Sequence, residues 1–390
     1  MDASIRSSPN LLDRADPAAE GLPLFAERAA GAHIWDSDGR RYLDFILGFG
    51  SVILGHAEKA VDDAVVRQLH AGVSPSLRSP RQVELAELLT RHVPGAQRAL
   101  LLRTGSDATE AAVRIARAYT GRRHVLHWGY HGWHDWCAPR APGVPDEYRS
   151  YTSAFAYNDL DSLSELFARH RGDVAGVIMM PLELEEPRDD FLRRCAELAH
   201  RHGALFMLDE VRTGFRLALG GAQQYYGVEA DLTALSKAMG NGYPIAAVTG
   251  PAEIMSAAER TSHSSVFFRS TDGSVAAIAT ITALADRGVS KVLWERGEQF
   301  TAGLRDAIGA TGVPARVVGL PVMPYHAFDL PPGPAAQAHR MFCRTAAAEG
   351  VLFHPAHHWF VCAAMTPADI ACAVEAAAAG YRAVQQLVTS

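Results

Sequence analysis

The chain has 390 residues, of which 48% are hydrophobic and 21% charged, a balance typical of a globular protein with a sizeable core. The 37 basic and 43 acidic residues leave a formal net charge of −6, which excludes a strongly basic surface for nucleic acid or membranes. The five cysteines form no CxxC pair, and neither an apolar leader nor an apolar run of about 18 residues is present. We therefore expect a cytoplasmic protein that binds neither nucleic acid nor membranes.

The first predicted elements are short. Residues 1–30 are polar and rich in turn-forming residues, which predicts an extended arm. Residues 32–42 are typical of two short strands around a turn at Asp38-Gly39. Beyond residue 56, helices alternate with apolar strands: helices at 57–71, 107–119, 160–170, 190–202 and 274–285, and strands at 99–102, 124–127, 174–180, 204–208 and 245–249. Such alternation favours a mainly parallel sheet covered by helices on both faces.

After residue 290 the pattern changes to helix, strand pair, helix, short strands and helix, which indicates a smaller α+β domain. The predicted organisation has three parts: residues 1–46 form the arm and part of the small domain, residues 47–288 the large domain, and residues 289–390 the rest of the small domain.

The first candidate site lies between a predicted strand and a predicted helix, in the segment Arg103-Thr-Gly-Ser-Asp-Ala-Thr-Glu110. Gly105 permits a tight turn, and Ser106 and Asp107 are residue types that cap helix N-termini. The amides at such a terminus can bind an anion. The alternative is a capped helix that binds nothing.

A second motif, Gly129-Tyr-His-Gly-Trp-His134, follows the next predicted strand. Tyr130 lies between glycines at a strand end, where its ring could stack on a planar ligand. His131 and His134 have an i, i+3 spacing found in metal ligands, but the other ligands of a zinc site are lacking nearby. We therefore expect no metal.

Two further segments complete the set. Asp209 and Glu210 end a buried strand, where one of the two carboxylates can point into the strand-end crevice and the other out. Lys237 lies in the apolar, glycine-rich stretch Leu235–Pro244, which predicts a lowered pKa and a nucleophilic amine. The chain has only two other lysines, Lys59 and Lys291, and both have the sequence context of solvated surface residues.

An anion cradle, a stacking aromatic, a buried aspartate and an activated lysine are the parts that a pyridoxal 5′-phosphate (PLP) enzyme needs. From about residue 25 to its end, the chain resembles the class III, fold-type I aminotransferases. It most resembles the branch that contains glutamate-1-semialdehyde aminomutase. The uninterrupted spacing from Asp209 to Gly242, with Lys237 inside it, is the most specific part of the likeness.

The resemblance implies roles for the matching residues. Gly105 and Ser106 would lie in the phosphate-binding turn, and Tyr130 in the Tyr-His-Gly motif. Asp209 would pair with the pyridine nitrogen, Val211 would pack on the ring, and Lys237 would form the Schiff base. The resemblance also implies a homodimer with active sites at the interface, and ping-pong transfer between an amino donor and an oxo acceptor.

Several positions depart from the family pattern. Met180-Pro181 stands where family members usually carry Glu-Pro, and Val266 where a threonine of the neighbouring subunit completes the phosphate site. We consider Ser265 and Thr271 as cofactor-binding substitutes, with Arg269 a third possibility at that segment. The aminomutase's N-terminal substrate motif is absent after Ser8-Pro9, and its glutamate is absent from residues 354–362.

Three residues are candidates for contact with the substrate: Phe49, Arg78 and His357. The alternative for Arg78 is a solvated loop arginine. The same constellation also supports an aminomutase, a racemase or a decarboxylase, and a non-catalytic protein that kept the fold is a further alternative. The sequence leaves the identities of donor and acceptor open.

Overall fold

The computed structural model describes residues 22, 25–138 and 141–389. The strands are β1 Ala26–Ala30, β2 His33–Asp36, β3 Arg41–Asp44, β4 Arg98–Leu102, β5 His124–Trp128, β6 Thr152–Ala154, β7 Val174–Met179, β8 Leu205–Asp209, β9 Leu232–Leu235, β10 Ala246–Gly250, β11 Ala315–Leu320, β12 Met323–Phe328 and β13 Val351–Leu352.

The longer helices are α1 Lys59–Ala71, α2 Pro80–His92, α3 Gly105–Thr120, α4 Leu160–Arg169, α5 Phe191–Arg201, α6 Gly221–Tyr226, α7 Thr271–Asp286, α8 Val289–Thr311, α9 Pro332–Ala348 and α10 Pro367–Thr389. Short helical segments span Leu47–Gly50, Asp146–Arg149, Lys237–Gly240, Ala252–Met255, Ser256–Arg260 and Val266–Arg269.

Contacts between backbone segments divide the described chain into two compact units. One lies within Lys59–Ser290, and the other combines the described parts of Met1–Glu58 and Lys291–Ser390. In the first unit, seven strands form a sheet in the order β4-β10-β9-β8-β7-β5-β6. All neighbours pair in parallel except β10, which is antiparallel to both β4 and β9. The predicted mainly parallel sheet is confirmed.

The antiparallel direction of β10 follows from the short connection that precedes it. Only residues 236–245 connect β9 to β10, and a parallel crossover needs a dozen residues or more. The chain therefore turns back beside β9, and Lys237 lies at the start of that reversal.

Helices cover both faces of this sheet, as predicted. Alternate residues of a strand point to opposite faces. Ile178 of β7 packs with residues of α3, whereas Val177 and Met179 pack with residues of α4 and α5. All residues of β7 and β8 are buried, as expected for strands with a helix layer on each side.

The second unit contains the sheet β1-β2-β3-β13 and the hairpin β11–β12. The predicted strand pair around Asp38-Gly39 is confirmed as β2 and β3. The predicted arm is wrong for Ala26–Ala30, which pairs antiparallel with β2 because a glycine at positive φ, Gly31, lets the chain reverse. The remainder of the arm, residues 1–21, 23 and 24, lies outside the described residues. Within the described part of the chain, no helix is long and apolar enough to cross a membrane.

Candidate active site

The anion cradle is the N-terminus of α3, which begins at Gly105, two residues before the predicted start. Thr104, not Ser106 or Asp107, is the N-cap residue, so that expectation is wrong. The Thr104 hydroxyl accepts the amide of Asp107 at 3.1 Å, and the Asp107 carboxylate accepts the Thr104 amide at 2.8 Å. This reciprocal capping box fixes where the helix begins. The amides of its first turn are therefore presented at the carboxyl end of β4.

Gly105 faces Val211, which follows β8. A Cβ atom on Gly105 would lie 2.8 Å from Cγ1 of Val211, closer than two carbon atoms pack. The position therefore requires glycine for close approach rather than for an unusual φ. The contact joins the cradle to the strand end that carries Asp209.

Asp209 is 4% exposed and is held by two donors. Its Oδ1 accepts the amide of Val211 at 3.0 Å, and its Oδ2 lies 2.7 Å from Nδ1 of His131. Since a carboxylate only accepts, Nδ1 of His131 carries the proton in this pair. The ring of His131 is fully buried and stacks on Trp136 at 5.7 Å. The sequence analysis weighed His131 only as a metal ligand, and it did not predict the hydrogen bond to Asp209.

Glu210 is also buried, at 1% exposed, so the expectation that one of the two acids points outward is wrong. Its carboxylate accepts the amides of Ala222 and Gln223, at 2.6 and 3.0 Å, and the Thr213 hydroxyl at 2.9 Å. Burial raises the pKa of Glu210, while these hydrogen bonds oppose the rise. Its role is to cap the first turn of α6, which compensates for the cost of burying a carboxyl group.

Lys237 begins a single turn of 3₁₀ helix directly after β9. Its φ of +46° is a left-handed conformation that a residue with a Cβ adopts at a cost of about 1–3 kcal/mol. The preceding residue, Ser236, donates its hydroxyl to the carbonyl of Ile245 at 2.8 Å and so ties the turn to the start of β10. Strain of this kind persists where the surrounding structure holds a functional side chain in place.

The amine of Lys237 is half-buried and has a perturbed pKa. Burial, and then the positive charge of Arg212, lowers the pKa of Lys237 to about 8, while Asp209 acts in the opposite direction. Arg216, which is fully buried, adds a further lowering effect. A minor fraction of this amine is therefore neutral, and nucleophilic, near neutral pH, which would not hold at the ordinary pKa of 10.5.

Two residues that follow neighbouring strands, Met180 after β7 and Arg212 after β8, border the same region. Met180, the departure from the family pattern, is 6% exposed and packs against Gly129, where a Cβ would lie 2.7 Å from its Cε. Arg212 donates from Nη2 to the carbonyl of Leu182 at 2.9 Å and lies 3.7 Å from Sδ of Met180. Sequence reasoning missed Arg212, although its position next to Val211 was a usable signal.

Tyr130 is 71% exposed at the end of β5. The glycines on either side of the motif, Gly129 and Gly132, have φ values of +103° and +106°. They turn the chain so that His131 is buried beside Asp209 while Tyr130 faces outward. An exposed ring at this place is compatible with stacking on a planar ligand.

The structure gives Ser265 and Thr271 local contacts. Ser265 caps the 3₁₀ segment Val266–Arg269 by accepting the amide of Phe267 at 3.2 Å. Thr271 is fully buried and donates its hydroxyl to the carbonyl of Val73 at 2.9 Å. Cofactor binding by these two residues stays a prediction.

The structure brings two of the three candidate substrate residues together, in the second unit. The ring of Phe49, which is 46% exposed, meets the ring of His357 edge-on at 5.1 Å and that of His354 at 5.4 Å. The side chain of His357 also contacts the carbonyl of His358 through Nδ1 at 3.1 Å. Arg78, in the first unit, is exposed in the loop before α2. Their contact with substrate stays a prediction.

These residues fit PLP. A capped helix N-terminus would hold its phosphate, and a glycine without room for a Cβ lets a backbone turn approach closely. A buried, doubly held carboxylate suits a protonated ring nitrogen, and a lysine with a lowered pKa suits an aldehyde. Among the described residues, no three His, Cys, Asp or Glu side chains are grouped so as to hold a metal ion.

Comparisons with known proteins agree with this fit. The model of the family described as aminotransferase class-III matches residues 15–379. The chain is 38% identical over 363 residues to the 3-aminobutyryl-CoA aminotransferase of Cloacimonas acidaminovorans, which covers 91% of this chain and 88% of the relative. It is 34% identical over 402 residues to the glutamate-1-semialdehyde 2,1-aminomutase of Syntrophobacter fumaroxidans, which covers 94% and 92%. The solved structure of the FumI protein of Sphingopyxis sp. MTA144, in its PLP internal aldimine form, superposes with a TM-score of 0.93 at 30% identity and covers 100% of this chain and 96% of that one.

Proposed function

Because this chain belongs to the class-III aminotransferase family, we propose that Lys237 and Asp209 are the residues through which it transfers amino groups. The chain is an enzyme of fold type I, a PLP-dependent aminotransferase. One observation carries the assignment of residues. An amine with a pKa of about 8 and a carboxylate held by two donors lie within electrostatic reach of each other, at the carboxyl ends of β8 and β9.

The chemistry supplied by PLP when bound is an aldehyde that condenses with amines and a pyridine ring that accepts electron density. The amides at the start of α3 would hold its phosphate. The carboxylate of Asp209 would keep the proton on the ring nitrogen, and His131 holds Asp209 in place. Val211 would pack against the ring.

Lys237 then acts as the proton carrier. Nζ of Lys237 would remove the proton from the donor carbon that bears the nitrogen and hold it for return in the same half-reaction. A pKa of about 8 keeps part of the amine neutral near neutral pH, as a base requires. The oxo product leaves before the acceptor binds, and Lys237 moves the proton in the opposite direction, so the proposed kinetics are ping-pong.

The test is the visible absorption of the purified enzyme, recorded before and after an amino donor is added without an acceptor. Loss of the yellow band with a donor supports transamination. Lys237→Ala should still bind the cofactor but should not turn over, and Asp209→Ala should lose turnover because the ring no longer draws electrons. Lys291→Ala, at an exposed lysine, serves as the matched control. Near-normal turnover in the Asp209 variant would contradict its assigned role.

A second candidate is an intramolecular aminomutase, favoured by the 34% identity to glutamate-1-semialdehyde 2,1-aminomutase. The two reactions differ in stoichiometry. An aminotransferase needs a donor and an acceptor in net, whereas an aminomutase needs neither. Product formation from one substrate alone, unchanged by an added oxo acceptor, would favour the aminomutase.

We further propose a homodimer in the cytoplasm. The support for the dimer is a set of exposed apolar side chains on two neighbouring segments: Leu77 is 83% exposed, Val266 75% and Phe267 62%. The segments are joined by the amide of Thr271, which donates to the carbonyl of Val73 at 2.9 Å. Large apolar side chains at such exposure are typical of an association surface. The support for the compartment is that all five cysteines are free thiols.

A further inference from the structure

Three buried nitrogen atoms around His131, the partner of Asp209, have no hydrogen-bond partner among the described residues: Nδ1 of His127, Nε2 of His131 and Nε1 of Trp136. His131 and Trp136 are 2% and 4% exposed, so bulk water does not reach them readily. A buried polar atom without a partner costs free energy, and it therefore requires an explanation. Because the three atoms belong to neighbouring rings, one shared partner explains all of them.

The three rings lie on one face of the sheet. The ring of His131 is nearly parallel to that of Trp136, at 18° and 5.7 Å between centroids, and meets that of His127 edge-on, at 75° and 6.1 Å. His127 lies two residues after Val125 on β5, so both side chains point to the face covered by α3, where Val125 and Trp136 share one apolar cluster. The three nitrogen atoms make no direct bond with one another, and polar atoms at such separations are commonly joined by a water.

The hydrogen-bonding capacities of the three atoms are complementary. Nε1 of Trp136 only donates. Nδ1 of His131 donates to Asp209, which leaves Nε2 of that ring as an acceptor. Burial, to which the neighbouring His131 adds, lowers the pKa of His127 to about 4, so this ring is neutral near neutral pH and can offer a lone pair at Nδ1. One donor and two acceptors match a single water, whereas neither an anion nor a cation matches both kinds of atom.

We propose that His127, His131 and Trp136 bind one buried water, and that this water strengthens the hydrogen bond from His131 to Asp209. The water accepts the N–H of Trp136 and donates one proton each to Nε2 of His131 and Nδ1 of His127. Three hydrogen bonds are what a buried water typically makes.

The water acts on Asp209 through the ring of His131. Hydrogen bonds in a buried chain polarise one another, so a donor at Nε2 makes the Nδ1–H of the same ring a stronger donor. The bond to the carboxylate, at 2.7 Å, is thereby strengthened. The consequence for catalysis rests on the proposed function, in which Asp209 keeps the proton on the ring nitrogen of the cofactor. His127 and Trp136 are positioning residues, because they act through the water and His131.

A crystal structure of the holoenzyme at high resolution shows the water directly. We expect one ordered water within about 3.2 Å of the three nitrogen atoms. An ordered set of rings without this water, or a direct hydrogen bond between Trp136 and His131, would overturn the proposal.

Variants of the holoenzyme test whether the water acts on Asp209. His127→Phe removes an acceptor, and Trp136→Phe removes the N–H donor while keeping an aromatic ring. In each variant, the proton NMR signal of the His131 Nδ1–H, which the short bond to Asp209 shifts downfield, should move upfield. The kcat should fall about 2- to 12-fold, the range of one uncharged hydrogen bond, while the KM of the donor changes less than about twofold. His127→Gln keeps an acceptor at this position, so it should restore both the signal and kcat.

Two residues of β5 offer matched controls. Trp128→Phe makes the same change as Trp136→Phe, but Trp128 packs on the opposite face of the sheet. His124→Phe makes the same change as His127→Phe, but at the amino end of the strand, away from the site. Both controls should leave the His131 signal and kcat unchanged.

The outcomes separate this inference from the function beneath it. An unchanged His131 signal in both His127→Phe and Trp136→Phe would overturn the inference alone. An equal loss in the two controls would also overturn it, because the effect would then be one of general packing. A holoenzyme that holds the water and gives the expected NMR shifts, but transfers no amino group from any donor, would overturn the proposed function and support the water site.

Discussion

Replacing His131 by phenylalanine should slow the enzyme, because Asp209 would lose one of its two donors. The Nδ1–Oδ2 distance is 2.7 Å, and the two side chains are 0% and 5% exposed, so water does not compensate readily. A hydrogen bond to a charged group contributes about 1.5–3 kcal/mol. If the energy of this bond is expressed in the transition state and not in the bound ground state, kcat should fall roughly 10- to 150-fold. The Val211 amide still holds Oδ1, so activity should not vanish.

The assay is turnover of the holoenzyme, together with the visible spectrum, which is sensitive to the environment of the bound ring. His131→Asn should recover most of the activity, since its amide nitrogen can replace Nδ1 as a donor. His134→Phe serves as the control, because that ring lies 3.5 Å from Glu110 and is partly exposed. A His131→Phe enzyme with wild-type kcat and spectrum would refute the argument that this donor positions Asp209.

Three further predictions concern other parts of the site. After removal of PLP, the rate at which PLP reattaches should rise with pH and level off above about pH 8. The reason is that the neutral form of Lys237 reacts, and its pKa lies below the ordinary 10.5. An inflection near pH 10.5 in stopped-flow absorbance would contradict this. Gly105→Ala should lower the free energy of unfolding by about 1–3 kcal/mol and weaken PLP binding, because its Cβ would lie 2.8 Å from Val211. Adding Val211→Ala in the same chain should restore much of the lost stability, as measured in a thermal melt. Leu77→Asp with Phe267→Asp should halve the mass in light scattering, whereas Val388→Asp, at another exposed apolar residue, should not.

The positions of the reactive groups could be predicted because strand ends are easy to find in a sequence. A buried apolar run that stops at a polar residue places that residue at the edge of the sheet, as for Asp209. Lys237 could be identified because only three lysines exist: Lys59 lies beside acidic residues, and Lys291 follows a turn at Gly288. Both arguments depend on local composition alone.

Contacts that depend on the sheet order could not be predicted in this way. His131 and Asp209 are 78 residues apart and meet only because one strand, β7, separates β5 from β8. Arg212 reaches Leu182 because β8 and β7, the strands they follow, are neighbours in the sheet. The i, i+3 spacing of His131 and His134 raised only the question of a metal site, which the lack of further ligands argued against, and it gave no sign of the contact with Asp209.

Other errors came from choices among equivalent residues. Thr104, Ser106 and Asp107 are all residue types that cap helices. Thr104 is the N-cap because Asp107, at the third helical position, accepts its backbone amide in return. Strand β9 has only four residues, and α2 lacks a long apolar run, so neither was among the predicted elements. The burial of Glu210 could not be predicted, because its partners are backbone amides of α6, which the later chain brings over it.

The place of β10 in the sheet sets an order for biosynthesis. It pairs with β4 through Ala246 and Leu102, and with β9 through Ala247 and Leu235. It therefore lies between the strand that leads to the anion cradle and the strand that leads to Lys237. It is also the last of the seven strands to leave the ribosome. A nascent chain that ends before Gly250 has both halves of the cofactor site but no strand to hold them in register. Cofactor capture therefore follows translation of β10, and premature termination before that strand yields a chain that cannot be rescued by added PLP.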